Sequence, residues 1–95
     1  MTSAVRRFRV EGEVQGVGFR WFVREQARAL ELAGVVRNEP DGAVVLIAAG
    51  STHALDELEA RLRVGPQQAS VAQVIRRELT TFDAVGLPRP FTIER

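Results

Sequence analysis

The sequence predicts an α+β fold, a two-layer sandwich with two helices on one face of an antiparallel sheet. Three observations carry this prediction. Apolar residues near the N-terminus recur at every second position, then from Phe19 at the three- and four-residue spacing of a helix. A second helical pattern follows two further strand-like runs, giving the order βαββαβ with a short C-terminal fifth strand. Two amphipathic helices and four or five strands cannot each bury an apolar face alone, so the economical solution lays both helices against one sheet. With 95 residues, 45% of them hydrophobic, the chain supports one core, and a single domain over residues 1–95 is expected.

The elements follow in order. Residues 4–14 alternate, with Phe8, Val10 and Val14 on one side and Arg7, Arg9, Glu11 and Glu13 on the other, the signature of a strand with one buried face. Phe19, Val23, Ala27 and Leu30 then form a helical stripe opposite Arg24, Arg28 and Glu31, and Gly34 is expected to close this helix. Val35–Arg37 begin a second strand. Pro40-Asp41-Gly42 has turn chemistry, and the apolar run Ala43–Ala49 makes the third strand of a hairpin. Ser51 or Thr52 can cap a second helix whose first turn is expected to hold Asp56 and Glu57, where the helix dipole favours acid. Leu55, Leu58 and Leu62 give it an apolar edge, and Gly65-Pro66 ends it. Val71–Leu79 is strand-like but alternates poorly, and Phe91–Ile93 makes a last edge strand. This order is the split-βαβ, ferredoxin-like arrangement.

Composition narrows the function. The chain has no cysteine, which removes disulfides, thiolate metal sites and a cysteine nucleophile and suits a reducing cytosol. No apolar run approaches the roughly 18 residues of a membrane span, and the first residues lack a signal-peptide core. A cytoplasmic protein is therefore expected. Thirteen basic residues stand against twelve acidic ones, a formal net charge of +1, without the excess expected of a nucleic-acid binder. Arg6, Arg7 and Arg9 are read as arginines pointing outward from an exposed strand. No set of residues has metal-ligand spacing, and neither a metal nor another cofactor is expected.

The most informative stretch is Gln15-Gly16-Val17-Gly18-Phe19-Arg20, between the first strand and first helix. Glycine accepts backbone angles that let successive N–H groups turn toward one point, a concavity suited to an anion. Arg20 adds a planar charged fork that matches phosphate. In a βαβ unit the two strands run the same way. The loop after the first strand and Asn38 at the end of the second are therefore expected at one end of the sheet.

Gly12-Glu13-Val14-Gln15-Gly16-Val17-Gly18-Phe19-Arg20 resembles the first signature of the acylphosphatase family. Gly34-Val35-Val36-Arg37-Asn38-Glu39-Pro40-Asp41-Gly42-Ala43-Val44 resembles the second, with Gly50 at the expected distance. Gly65-Pro66, Ala69, Val71 and Val74 resemble the family's second-helix exit and fourth strand. The resemblance spans essentially the whole chain; Val35 departs from it, standing where the family usually has an aromatic residue. It implies hydrolysis of acyl phosphates to a carboxylate and inorganic phosphate, with no cofactor. Arg20 matches the phosphate-binding arginine and Asn38 the asparagine that positions the attacking water. The backbone of Gln15, Gly16, Val17, Gly18, Phe19 and Arg20 matches the phosphate-binding loop. A monomer acting on a small molecule, with no nucleic-acid or membrane partner, is expected.

Plainer readings stand beside these. Gly16 and Gly18 alone would serve any strand-to-helix turn, and Asn38 alone any strand end. Gln15 orients the loop, Phe19, Phe22 and Val23 belong to the core, and Trp21 is either partly buried or lines the pocket mouth. His53 is read as solvated or capping, Asp41 as a turn residue, and Glu11 and Glu13 as solvent-facing. Two other functions fit a ferredoxin-like domain. An RNA-binding module would stack bases on aromatics of the open sheet face, where this chain offers charged residues and no tyrosine. A non-catalytic phosphate sensor would not require Asn38.

Overall fold

Strand β1 (Ser3–Glu13) is an interior strand of a five-stranded sheet, and its period-2 pattern gives it one mainly apolar side. The structure is a computed structural model and describes residues 3–94. After β1 come α1 (Phe19–Ala29), β2 (Ala33–Asn38), β3 (Val44–Ser51), α2 (Thr52–Val64), β4 (Ser70–Leu79), a 3-10 turn at Thr81–Ala84 and β5 (Thr92–Ile93). The sheet order is β4-β1-β3-β2-β5. β1 is antiparallel to β3 and β4, and β2 is antiparallel to β3, so β1 and β2 run the same way. The sheet is mixed rather than wholly antiparallel, because β5 adds to β2 in parallel. Among the described residues no helix is long and apolar enough to cross a membrane.

Register explains the core. Phe8 pairs with Leu46, which pairs with Val36, and Val10 pairs with Val44 and Val74, so these side chains share the helix-covered face. Against them pack Phe19, Val23 and Ala27 of α1 and Leu55, Leu58 and Leu62 of α2, all buried. Each such leucine contributes about 1.5–3 kcal/mol through burial. Val35 lies on the opposite face, flanked by its register partners Ile47 and Thr92.

Four local expectations are corrected. Gly34 does not end α1. That helix stops at Leu30, with Glu31 in the left-handed region (φ 58) donating to Arg28 O (3.0 Å) and Leu32 donating to Ala27 O (2.9 Å). Gly34 sits inside β2, where a Cβ would overlap the Ile47 carbonyl and stand 2.7 Å from the Phe91 ring, so close packing fixes that glycine. Arg6 does not point outward. It lies on the helix-covered face with Phe8 and Val10, is only 7% exposed, and reaches the rim to pair with Asp56 (2.6 Å) and Glu78 (2.8 Å).

The first turn of α2 carries no acid: Ser51 Oγ accepts from Ala54 N–H (3.1 Å), and Asp56 and Glu57 fall beyond that turn, where they pair with Arg6 and Arg61. The far face of the sheet is not wholly wet either. Val5 on that face is buried, and β1 packs there against the Thr81–Ala84 turn.

Candidate active site

The segment between β1 and α1 is anchored at both ends and open between. Val14 and Phe19 are buried in the core, Val17 packs partly against it, and Gln15, Gly16 and Gly18 are exposed. Gly16 (φ 74) and Gly18 (φ 76) both take left-handed angles, and a Cβ at either would meet nothing within 4 Å. Backbone conformation, not crowding, therefore selects glycine at these two positions. Among the described residues no backbone N–H from 15 to 21 donates to a protein acceptor, and the first helical bond here is Phe22 N–H to Gly18 O (3.0 Å). The first turn of α1 holds no acidic side chain. A helix N-terminus with free N–H groups and no local carboxylate is electropositive.

Arg20 stands half-buried in that first turn and, among the described residues, makes no hydrogen bond or ion pair. The next arginines along α1 have partners, although the buried Arg24 Nε, like Asn38 Oδ1, finds none among the described residues. Arg24 meets Glu25 (3.2 Å) and lies 3.8 Å above the Trp21 ring, and Arg28 donates to Phe91 O (2.8 Å) just before β5. Arg28 therefore faces the approach to β5, and the i, i+4 spacing sets Arg24 about 40° and Arg20 about 80° round the helix from it. Trp21 remains half-exposed (54%), its ring partly covered by Arg24, while the Phe19 ring packs near Phe22 in the core.

Asn38 is the last residue of β2 and pairs with Val44, whose other neighbour is Val10. Asn38 and Val10 therefore flank one residue at the same level, about 9–10 Å apart as two strand spacings require, with side chains on the helix-covered face. β1 continues from this level into the glycine loop, so both approach the same end of the sheet. The Asn38 Oδ1 atom is buried and accepts no hydrogen bond from any described residue. A buried carbonyl left so costs about 1–3 kcal/mol, and it offers an acceptor to a donor that enters the site.

One side chain links the two halves, and the sequence did not single out its partners. Gln15 Nε2 donates to Glu39 O (2.8 Å) and Ala43 O (2.9 Å), the two ends of the hairpin turn that follows Asn38. That turn is closed by Glu39 N–H to Ala43 O (2.8 Å) and braced by Arg9 Nη2 on Asp41 (2.6 Å). The Arg9 guanidinium, then the Ala43 N–H, hold the Asp41 carboxyl below its ordinary pKa. The only legible signal was a side-chain amide at the mouth of a glycine loop, able to donate two bonds at once. His53 is exposed at the start of α2, and Glu11 is bound to Arg9 (2.7 Å), so neither is placed as a base.

Comparison with known proteins agrees in extent. The family model described as acylphosphatase matches residues 6–87. The chain is 44% identical over 90 residues to an acylphosphatase of Rhodopseudomonas palustris, covering 95% of this chain and 90% of that one. It is 49% identical over 88 residues to an acylphosphatase of Nitratidesulfovibrio vulgaris, covering 93% and 87%. Among solved structures, the acylphosphatase from Bacillus subtilis superposes with a TM-score of 0.89 at 34% identity, covering 99% of this chain and 100% of that one.

Proposed function

The chain belongs to the acylphosphatase family and hydrolyses acyl phosphates, and we propose that within this reaction Arg20 and the 15–20 backbone hold the phosphoryl group while Asn38 positions the attacking water. Residues 1–95 act in this reading as one domain and a monomer, on a small-molecule acyl phosphate, with inorganic phosphate as product and no cofactor.

Phosphoryl transfer passes through a loose transition state, so catalysis is mainly alignment and stabilisation of charge. The leaving group is a carboxylate whose conjugate acid has a pKa of about 4, so it departs without a general acid. The water oxygen forms a bond to phosphorus as the bond from phosphorus to the acyl oxygen breaks, its electron pair leaving with the carboxylate. The water proton passes to a phosphoryl oxygen. Arg20 and the loop N–H groups gather the charge on the equatorial oxygens. Asn38 Oδ1 accepts one hydrogen bond from the water and so aims its lone pair. Alkyl phosphate esters, with far more basic leaving groups, are poor substrates by the same reasoning.

The observation that carries this reading is the buried, unpartnered Asn38 Oδ1 at the level of Val10, three residues before β1 ends toward the glycine loop, with Gln15 bonding that loop to the hairpin turn that follows Asn38. The test is phosphate release from benzoyl phosphate without added metal. Asn38→Ala is expected to lower kcat by roughly a hundred- to a thousand-fold, as loss of one preorganised group does. Arg20→Ala is expected to weaken phosphate inhibition and turnover together, and Arg20→Lys to fail as well because a point charge cannot reproduce the fork. Wild-type turnover in Asn38→Ala would remove the water-positioning role.

A further inference from the structure

Among the described residues two buried side-chain polar atoms have no partner, and the reaction as proposed uses only one of them. The first is Asn38 Oδ1. The second is Nε of Arg24, the N–H of a permanent cation, closed off from solvent without an acceptor. Buried polar groups are nearly always hydrogen-bonded, and a charged donor without an acceptor forfeits one of the stronger bonds open to it. The Arg24 side chain is only 20% exposed, whereas its one carboxylate partner, Glu25 at 3.2 Å from Nη2, is the adjoining residue and 61% exposed. A surface pair of that kind contributes little. Glu25 therefore leaves most of the guanidinium available to another anion.

Helix geometry sets that guanidinium beside the phosphate loop. Arg24 follows Arg20 by four residues, about 6 Å along the axis and about 40° around it, so it stands between Arg20 and Trp21, which lies about 100° round. Long helical side chains lean toward the N-terminus. Arg24 does so: its Cζ lies 3.8 Å from the centre of the Trp21 ring, three residues back. The charged head thus reaches the first turn of α1, beside Arg20 and the backbone N–H groups that have no protein acceptor. Gln26, by contrast, bonds Arg61 of α2 (2.8 Å). Arg24 lies about 200° around the helix from Gln26 and takes no part in the contact between helices.

We propose that Arg24 is a second phosphate-binding arginine, its guanidinium, steadied on the Trp21 ring, donating to an oxygen of the anion that Arg20 and the 15–20 backbone hold. This rests on the roles proposed for those groups. An entering phosphoryl oxygen supplies the acceptor that Nε lacks, and the charge of the bound anion is shared between two guanidiniums. Arg24 meets that anion in substrate, product and transition state alike, so it acts on binding more than on rate.

The test is inhibition of benzoyl phosphate hydrolysis by inorganic phosphate in wild type, Arg24→Met, Glu25→Gln and Arg20→Ala, with the Tm of each by calorimetry. Arg24→Met keeps an apolar stem beside Trp21 and removes the charge. It should raise Ki for phosphate and KM together, about five- to tenfold, with kcat within about twofold. Its Tm should stay within about 2 °C, since the buried donor it removes had no acceptor and the ion pair it removes is exposed. A purely structural arginine would do the reverse, lowering Tm and leaving Ki alone, and a water bound at Nε would also leave Ki alone; an unchanged Ki overturns the proposal. Glu25→Gln keeps the guanidinium and frees Nη2, so Ki should fall about two- to threefold. Should Arg24→Met not fold, an unchanged Ki in Glu25→Gln overturns the proposal instead. If Arg20→Ala raises Ki while Arg24→Met leaves it at the wild-type value, Arg24 alone is refuted and the other residue roles stand. If Arg20→Ala leaves Ki unchanged, those roles fail and the place of Arg24 falls with them.

Discussion

Removing the Gln15 amide is a sharp test of how the site is held together, because this side chain touches the geometry of the site while only the Gln15 backbone takes part in the reaction as proposed. In Gln15→Ala two hydrogen bonds are lost, to Glu39 O at 2.8 Å and to Ala43 O at 2.9 Å. At about 0.5–1.5 kcal/mol each, the ceiling is about 1–3 kcal/mol. The Glu39 bond is exposed and the Ala43 bond only partly buried, so water replaces part of both and a loss of about 1 kcal/mol is expected. For a domain of this size that is a fall of about 4–8 °C in Tm. The effect on turnover should be larger than the stability loss suggests. Asn38 immediately precedes Glu39, and a displacement of about 1 Å at an aligning group can lower rate on the order of a hundredfold.

We expect kcat on benzoyl phosphate to fall at least about tenfold at a temperature where the variant is fully folded, with phosphate inhibition nearly unchanged. Gln15→Glu is the companion: it keeps the shape but turns a carboxylate toward two carbonyl oxygens, and should be worse than alanine in both assays. Scanning calorimetry and initial-rate kinetics decide the matter. Wild-type kcat and an unchanged Tm in Gln15→Ala would refute the idea that this amide couples the phosphate loop to the hairpin.

The other expectations concern the frame. Gly34→Ala drives a Cβ into the Ile47 carbonyl and the Phe91 ring at a φ of 147, and should cost about 3 kcal/mol, read as a loss of roughly 12–24 °C in Tm; a drop under about 3 °C would contradict the packing account. Acid should also weaken the fold. The guanidinium of Arg9 depresses the Asp41 carboxyl and that of Arg6 the Asp56 carboxyl, so each folded pKa lies below its unfolded value. Their stabilisation is therefore complete above about pH 4 and is lost as pH falls through the depressed folded values. In Asp41→Asn and Asp56→Asn, Tm measured between pH 7 and pH 2 should start lower and fall less steeply than wild type; parallel curves would show that these pairs do not contribute to acid sensitivity.

The fold was legible where one residue type had one task. The alternation of Phe8 and Val10 and the helical spacing of Phe19, Val23 and Ala27 matched the buried set, because side-chain periodicity reports directly on which face meets the core. It was less legible where one residue type serves two tasks. Gly34 looked like a helix stop, but the close approach of Ile47 and Phe91 required it inside a strand, and Glu31 took the left-handed position instead. Arg6 looked like a surface charge because its pairing groups, Asp56 and Glu78, lie 50 and 72 positions away. In the site, the glycine loop, Arg20 and the level of Asn38 followed from βαβ topology. The two bonds of Gln15 and the brace from Arg9 to Asp41 did not, since they depend on side-chain reach across the sheet and hairpin.

Net charge is a poor guide to why a phosphate would come to this loop. The total of +1 implies no attraction, yet arginines and carboxylates are not paired evenly over the surface. Arg6, Arg9, Arg24, Arg37, Arg61, Arg63 and Arg76 each meet a carboxylate, and Arg28 meets a backbone carbonyl. Among the described residues Arg7, Arg20, Arg77 and Arg89 have no such neighbour, and of these Arg20 stands where the N-terminus of α1 adds its own positive end without an opposing acid. An oxyanion charge about 4 Å from an arginine gains about 4 kcal/mol at an effective dielectric constant of 20 and about 1 kcal/mol in bulk water. Half-burial of Arg20 moves it toward the larger figure, and a carboxylate partner would have spent that attraction inside the protein. Pairing at Arg9 serves the site as well. By anchoring its own charge to Asp41, Arg9 braces the hairpin without competing for the ligand. The affinity of the loop for phosphate therefore depends on which carboxylates are absent from its rim, and an aspartate introduced at Trp21 would weaken it while leaving every hydrogen bond of Gln15 intact.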